Sequence, residues 1–452
     1  MSRKNNSMNS TLPSDLVKKV TAQLRPALAS TAVHYPGERP ERQPIHTVYG
    51  GAHLFSSETT SKLGVIAAKS LASFAPDSGS FSSIFGLSSA LGEIVYARVR
   101  EKLAKEAVED LRIDFEDGYG IRTDAEEDGH AVTTANETSN AMAAGKLPPF
   151  FGIRIKSFSL ETLDRSIRTL DLYLTALSRN TDAILPDNFV VTLPKIVSSE
   201  QVAALADILD EIEARLSLRT DTIKVEIMIE TVQSIIAPDG RTALPGLVAA
   251  SRGRCRGAHF GAFDYTADCG ITAPYQDLRH PSCDLARQIM QVSLTKTGVA
   301  LSDGVTTVMP IAPHRGEVLS PEQIAENESV VRSAWRLHYD NCRWALQNGF
   351  YQGWDLHPAQ IPARYAAVYS FFLEGLDQTS NRLKNFVEKA ARATLTGNDF
   401  DDAATGQGLL NYFTRAINCG ALTEDEVLKR TGLSAEQLRS GSFASIIEQI
   451  KG

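Results

Sequence analysis

The sequence predicts an α/β protein: a (β/α)8 TIM barrel with an N-terminal arm and a small C-terminal helical extension. Two observations lead there. Eight short apolar runs alternate with helix-patterned stretches, as parallel βα units require. Five consecutive runs end in groups that bind metals or oxyanions, namely Asp114, Glu116 and Asp117, then Arg154, Lys195, Glu230 and Asp264. In a closed eight-stranded barrel all strand C-termini meet on one face, and the active site lies there.

Residues 1–43 read as a polar arm with a short helix around Leu16–Leu24, followed by Pro36, Pro40 and Pro44, which stiffen the approach to the first strand. The barrel is expected over residues 44–376. Its strands are expected at His46–Val48, Leu111–Phe115, Phe150–Ile155, Phe189–Ile196, Ile223–Ile229, Ala258–Phe263, Gly304–Ile311 and Phe350–Leu356. KVEIMIE alternates, whereas VVTLPKI and FFGIRI are nearly continuous, as strands covered on both faces should be. Helical spacing appears at Ser57–Phe74, Ser88–Val108, Leu160–Leu177, Ser199–Leu216, Pro281–Thr297 and Ser320–Gln347, with a Ser/Gly-rich interruption at Ser78–Gly86. Ser198 and Gln201 form a capping-box signal before one of these helices. Residues 377–452 read as helical, with segments at Arg382–Leu395, Gln407–Asn418, Thr423–Arg430 and Ala435–Ile450.

A formal charge of −8 without a basic block excludes nucleic acid and anionic membranes as general partners, while leaving room for a local basic pocket for an anionic metabolite. Five scattered cysteines without CxxC spacing point to reduced thiols in a cytoplasmic enzyme. The opening segment lacks the apolar stretch of a secretory signal, and no apolar run is long enough to span a bilayer.

Glu230 and Asp264 each follow a strand that should be buried. A carboxylate there costs several kcal/mol unless a positive charge compensates it, a role that suits Mg²⁺, with Mn²⁺ as its substitute. Backbone amides or salt bridges are the alternative compensation. Arg154 is placed to clamp a carboxylate or steady an enolate, or to pair with Asp114 or Glu116. The DFEDG segment packs three carboxylates, which raise one another's pKa or demand a cation; Glu116 and Asp117 are candidate proton carriers, and a solvated acidic loop running on through Asp124–Asp128 is the plainer reading. Lys195 offers an anion contact or, with a lowered pKa, a Schiff base. Gly50 and Gly51 permit close backbone approach to an anion or simply form a turn, and His357 lines the pocket or is structural.

In order, these motifs resemble a known family. DFEDG is similar to the DLEDAV segment of the citrate lyase beta subunit and HpcH/HpaI aldolase superfamily. FGIRI and LPKI resemble its VRIN and LPK strands, MIET its IET metal strand, HFGAFDYTADCG its FGxxDLxxxLG segment, GFYQGWDLHPAQI its ending, and VYGGAHLF its FVPGNRP start. The resemblance runs from about Thr47 to Tyr365. It implies a metal-dependent barrel acting on pyruvate-like, oxaloacetate-like or acyl-CoA substrates, commonly homo-oligomeric. Glu230 and Asp264 would hold the metal, and Arg154 a carboxylate or enolate oxygen. Gly118, Tyr119, Gly120, Trp354, Asp355, the long early connections and the C-terminal extension depart from the pattern, so a divergent stand-alone branch is expected.

The expected activity is therefore a Mg²⁺-dependent carbon–carbon lyase or aldolase working through an enolate of a 2-oxo acid or β-hydroxyacyl substrate. Phosphoenolpyruvate chemistry at the same site, a Lys195 Schiff-base aldolase and a non-catalytic barrel are the competing readings.

Overall fold

The computed structural model describes residues 11–37, 39, 41–390, 403–439 and 446. Eight parallel strands close into a barrel in sequence order: β1 (His46–Gly51), β2 (Asp110–Asp114), β3 (Phe150–Arg154), β4 (Phe189–Leu193), β5 (Lys224–Ile229), β6 (Cys255–Phe260), β7 (Ala300–Val305) and β8 (Gln352–Asp355), with β8 pairing back onto β1. The expected (β/α)8 barrel is the one observed.

Helix α1 (Ser14–His34) belongs to the arm and buries no residue. Between β1 and β2 lie α2 (Thr59–Phe74), α3 (Ser78–Phe85) and α4 (Ser89–Glu106). The Ser/Gly-rich stretch is thus a helix, not an interruption, because Asp77 and Ser80 form a reciprocal cap and Phe81 and Phe85 drive it into the core. The acidic run after DFEDG is also helical, starting α5 (Asp124–Ala143) with Thr123 and Glu126 as its capping box. Then follow α6 (Leu163–Asn180), α7 (Ser199–Arg215), the short α8 (Val232–Ile235), α9 (Leu244–Ala250) and α10 (Ala262–Asp268), then α11 (Pro281–Leu294), α12 (Pro321–Gln347) and α13 (Ile361–Leu373). Gln201 reaches back to the Ser198 amide at 3.0 Å, the cap the sequence signals.

Several strand bounds shift: the first strand runs on to Gly51, and the fourth stops at Leu193 rather than Ile196. The sixth strand stops at Phe260, and the seventh runs over Ala300–Val305 instead of starting at Gly304. Asp264 consequently sits in the first turn of α10 rather than on a strand tip.

Alternation sorts each strand into two faces. Leu111, Ile113, Ile153, Val191, Ile227 and Ile229 are at most 1% exposed under the helices, each contributing about 1.5–3 kcal/mol on burial. The lumen is polar. Arg112 bonds Glu226 through Nε at 3.1 Å and Nη2 at 2.8 Å, and also pairs with Asp110; Thr47 donates to Asp110 at 2.8 Å, and His259 Nε2 lies 3.2 Å from Glu226. Burial works against a charge on Glu226, yet Arg112 and His259 hold its pKa well below the usual carboxylate range.

The C-terminal segment forms α14 (Leu376–Ala390), α15 (Ala403–Asn418), α16 (Glu424–Thr431) and α17 (Ala435–Arg439). The expected helical segments at 391–395 and beyond Arg439 lie outside the described residues, apart from Ile446. This unit docks on the barrel: Arg98 of α4 pairs with Glu426 at 2.5 Å, and Arg415 of α15 lies 4.8 Å from the centre of the Tyr351 ring. Among the described residues no helix is long and apolar enough to cross a membrane.

Candidate functional site

The strand ends bring seven of the expected residues into one connected cluster. Arg154 closes β3 and is 1% exposed. Its Nε and Nη2 donate to the two oxygens of Asp114 at 2.7 and 2.6 Å, and Nη1 lies 3.3 Å from Glu116 and 3.8 Å from Asp117. Asp114 also accepts from the amides of Glu116 at 2.9 Å and Gly118 at 2.7 Å. With four donors on one carboxylate, Asp114 positions Arg154 and the following loop.

The guanidinium lies 4.8 Å from the centre of the Tyr49 ring and 5.3 Å from that of Trp354. Neither aromatic residue stands out in the sequence as a site residue. Both face the lumen because alternation along β1 and β8 puts them there.

Lys195 follows β4 with φ at +50°, a left-handed conformation uncommon outside glycine. That turn aims its amide at Glu230 Oε1, 2.6 Å away. Its ammonium bonds Glu116, reaches Asp117 at 3.0 Å and lies 3.9 Å from Asp264. Burial opposes the charge, but Glu116, Glu230 and Asp264 raise the pKa of Lys195 above its ordinary value. A Schiff base needs a neutral amine, so this setting disfavours the Lys195 imine reading.

Glu230 follows β5 and is 1% exposed. Its second oxygen, Oε2, is buried with no partner among the described residues, as are Tyr49 Oη and Trp354 Nε1. Desolvation and the nearby Asp264 push the Glu230 carboxyl up to about 8. Asp264, whose side chain is 45% exposed, is raised by partial burial as well. Glu116 is raised by burial, with Asp117 adding to the effect. The backbone accommodates Glu230 through Gly261, where a Cβ would stand 2.5 Å from both Glu230 Cβ and Oε2.

Orphaned buried oxygens in native folds call for a proton, a water or a cation. Glu230 and Asp264 offer two hard oxygen donors, one deep and one open to solvent. That set fits a Mg²⁺-type ion, which takes one or two protein carboxylates and fills its other positions with water or substrate. Among the described residues no group of three or more His, Cys, Asp and Glu side chains forms a closed metal cage.

Gly50 and Gly51 end β1 instead of following it. A Cβ on Gly51 would fall 2.3 Å from the Gly118 carbonyl oxygen, so the glycine lets β1 pass the DFEDG loop. His357 caps the turn Pro358–Gln360, its Nδ1 accepting from the Ala359 amide at 3.1 Å, and burial lowers its pKa. This capping role places His357 directly after β8.

Among solved structures, the fold matches a citrate lyase from Burkholderia xenovorans LB400 at 17% identity and a TM-score of 0.56, covering 86% of this chain and 97% of that one. Fainter likenesses are to Haloferax volcanii malate synthase in a magnesium/glyoxylate complex (13% identity, TM-score 0.44, 91% and 98% covered) and to Mycobacterium tuberculosis CitE with magnesium, acetoacetate and coenzyme A (15%, 0.43, 84% and 100%). The barrel is thus the fold of the superfamily that the sequence motifs resemble. No curated protein matches the sequence. Residues 24–446 match the family described as "Domain of unknown function (DUF6986)", and the chain belongs to that family.

Proposed function

We propose that the chain is a divalent-metal-dependent carbon–carbon lyase or aldolase that acts through an enolate on a 2-oxo acid or a β-hydroxyacyl substrate, the latter as a coenzyme A thioester. The observation that carries this reading is Glu230: a fully buried carboxylate with one bare oxygen, beside Asp264, at the mouth where the strand ends meet.

Glu230 and Asp264 would hold Mg²⁺ or Mn²⁺. When bound, such an ion supplies Lewis-acid polarisation of the substrate's carbonyl and carboxylate oxygens. The rest falls to the chain. Arg154, fixed by Asp114, and the Lys195 ammonium are the cations that face negative charge developing on the substrate. Glu116 lies between them with a raised pKa, which suits a carboxylate that takes up and returns a proton at its Oε atoms. Tyr49 and Trp354 line the lumen against the Arg154 guanidinium.

The test is metal-dependent turnover of pyruvate-type 2-oxo acids and β-hydroxyacyl thioesters. Glu230→Ala and Asp264→Ala should each abolish it while the far-ultraviolet spectrum is retained. Undiminished activity in either variant, or in EDTA, overturns the proposal.

A further inference from the structure

At the opposite end of the barrel, beneath the lumen, lies a cavity of about 520 Å³, within the size range of small-ligand sites. Its walls are the first residues of β3, β4, β5 and β7, together with Arg39 and residues 41–44, which lead into β1. It is therefore separated from Glu230 and Lys195 by the whole depth of the polar lumen, with Arg112 and Glu226 as its ceiling.

Eight lysine or arginine side chains line this cavity against three acids, in a chain whose formal charge is −8. Some of the cations are committed elsewhere. Arg42 pairs with Glu106 and Glu109, Lys224 with Asp221, and Arg112 with Asp110 and Glu226, while Arg415 donates to Gln43 Oε1 at 2.7 Å and lies over the Tyr351 ring. Arg39, Arg219, Arg256 and Lys296 remain. They come from four separate segments and have no ion pair with an acid among the described residues. Uncompensated like charges repel, and a concave surface with low-dielectric walls focuses their field. Apolar groups complete the wall, including Leu185, Leu294 and Val299.

We propose that this cavity binds a phosphorylated anion of nucleotide size, its phosphates on Arg39, Arg219, Arg256 and Lys296 and its uncharged portion on the apolar wall. Arginine forks and lysine ammoniums are the groups that hold phosphate oxygens. The site is independent of the metal-dependent reaction proposed above.

Calorimetric titration of the full chain in EDTA, with ATP, tripolyphosphate and adenosine, tests the site without any metal to hold phosphate at the upper mouth. ATP and tripolyphosphate should bind and compete with each other, adenosine should not bind measurably alone, and affinity should fall as salt rises. The triple variant Arg219→Gln, Arg256→Gln, Lys296→Gln should lose at least about tenfold in ATP affinity. Arg219→Gln alone, an exposed position, should lose less, which keeps the test valid should the triple variant fold poorly. Glu230→Gln should leave ATP binding unchanged. Absence of ATP binding to the native chain, binding of adenosine but not tripolyphosphate, or binding lost in Glu230→Gln and kept in the arginine and lysine variants would each overturn the proposal.

Discussion

Arg154 grips Asp114 with two parallel hydrogen bonds, Nε to Oδ1 at 2.7 Å and Nη2 to Oδ2 at 2.6 Å, and both residues are 1% exposed. The pair links β2 to β3 at the mouth of the barrel and leaves one guanidinium nitrogen, Nη1, turned toward Glu116. Removing one partner of a buried pair strands the other charge. Asp114→Asn should therefore cost about 3–5 kcal/mol of stability and lower turnover, because Arg154 loses the clamp that aims it. Urea unfolding measures the first effect and steady-state kinetics the second. A variant as stable and as active as the native chain would refute the positioning role given to Asp114.

The contact between Gly261 and Glu230 gives a prediction that touches neither carboxylate. A methyl group at position 261 would stand 2.5 Å from Glu230 Oε2 and Cβ, so Glu230 must move. Gly261→Ala should weaken Mg²⁺ binding, read as loss of the metal-induced rise in melting temperature, with the barrel intact. Gly246→Ala is the control, since a methyl group there meets nothing within 4 Å. Equal metal responses in the two variants would remove Glu230 from the metal site.

Barrel and cluster were legible in the sequence for one reason: strand tips carry chemistry at fixed intervals, and the outward faces of β2 to β5 are apolar. The misses have physical causes. Helix α5 presents Ala131, Thr134, Ala135, Thr138 and Ala141 to its neighbours, small residues that pack closely but give no apolar periodicity. Its Thr123–Glu126 cap was the available signal. HFGAFD reads as one apolar run, although Gly261 ends the strand and Asp264 belongs to the next helix turn. The charged lumen was written in the alternation of Asp110, Arg112 and Asp114 along DLRID, but its partner Glu226 lies 114 positions from Arg112, beyond any local pattern. Tyr49 and Trp354 carry no spacing signal, and only the closed barrel sets them against Arg154.

Lys195 separates two kinds of aldolase chemistry. Its ammonium bonds Glu116 and lies 3.0 Å from Asp117, and Glu116, Glu230 and Asp264 hold it charged. Borohydride reduction in the presence of pyruvate should leave Lys195 unmodified by mass spectrometry, and Lys195→Met should reduce turnover through loss of a cation. A reduced adduct on Lys195 would restore the imine mechanism and displace the metal-dependent one.

Stability should depend on a histidine outside that cluster. His338 of α12 is 1% exposed, with Nε2 at 2.9 Å from Asp355 of β8 and Nδ1 at 2.9 Å from Thr306 Oγ1. Asp355 also receives His46 and Arg364, so the network ties α12 and α13 to the seam where β8 meets β1. Burial opposes a charge on His338, yet Cys342 and Asp355 together raise its pKa to about 9 from an ordinary 6.5. A folded-state pKa above the unfolded one means that protonation favours folding. The contribution is complete below pH 6.5 and disappears as pH climbs through about 9, amounting to about 3 kcal/mol at full value. Denaturant midpoints measured from pH 6 to 9.5 should fall in the native chain, and His338→Gln should show a flatter profile from a lower start. Parallel profiles for the two proteins would show that His338 does not change protonation on folding.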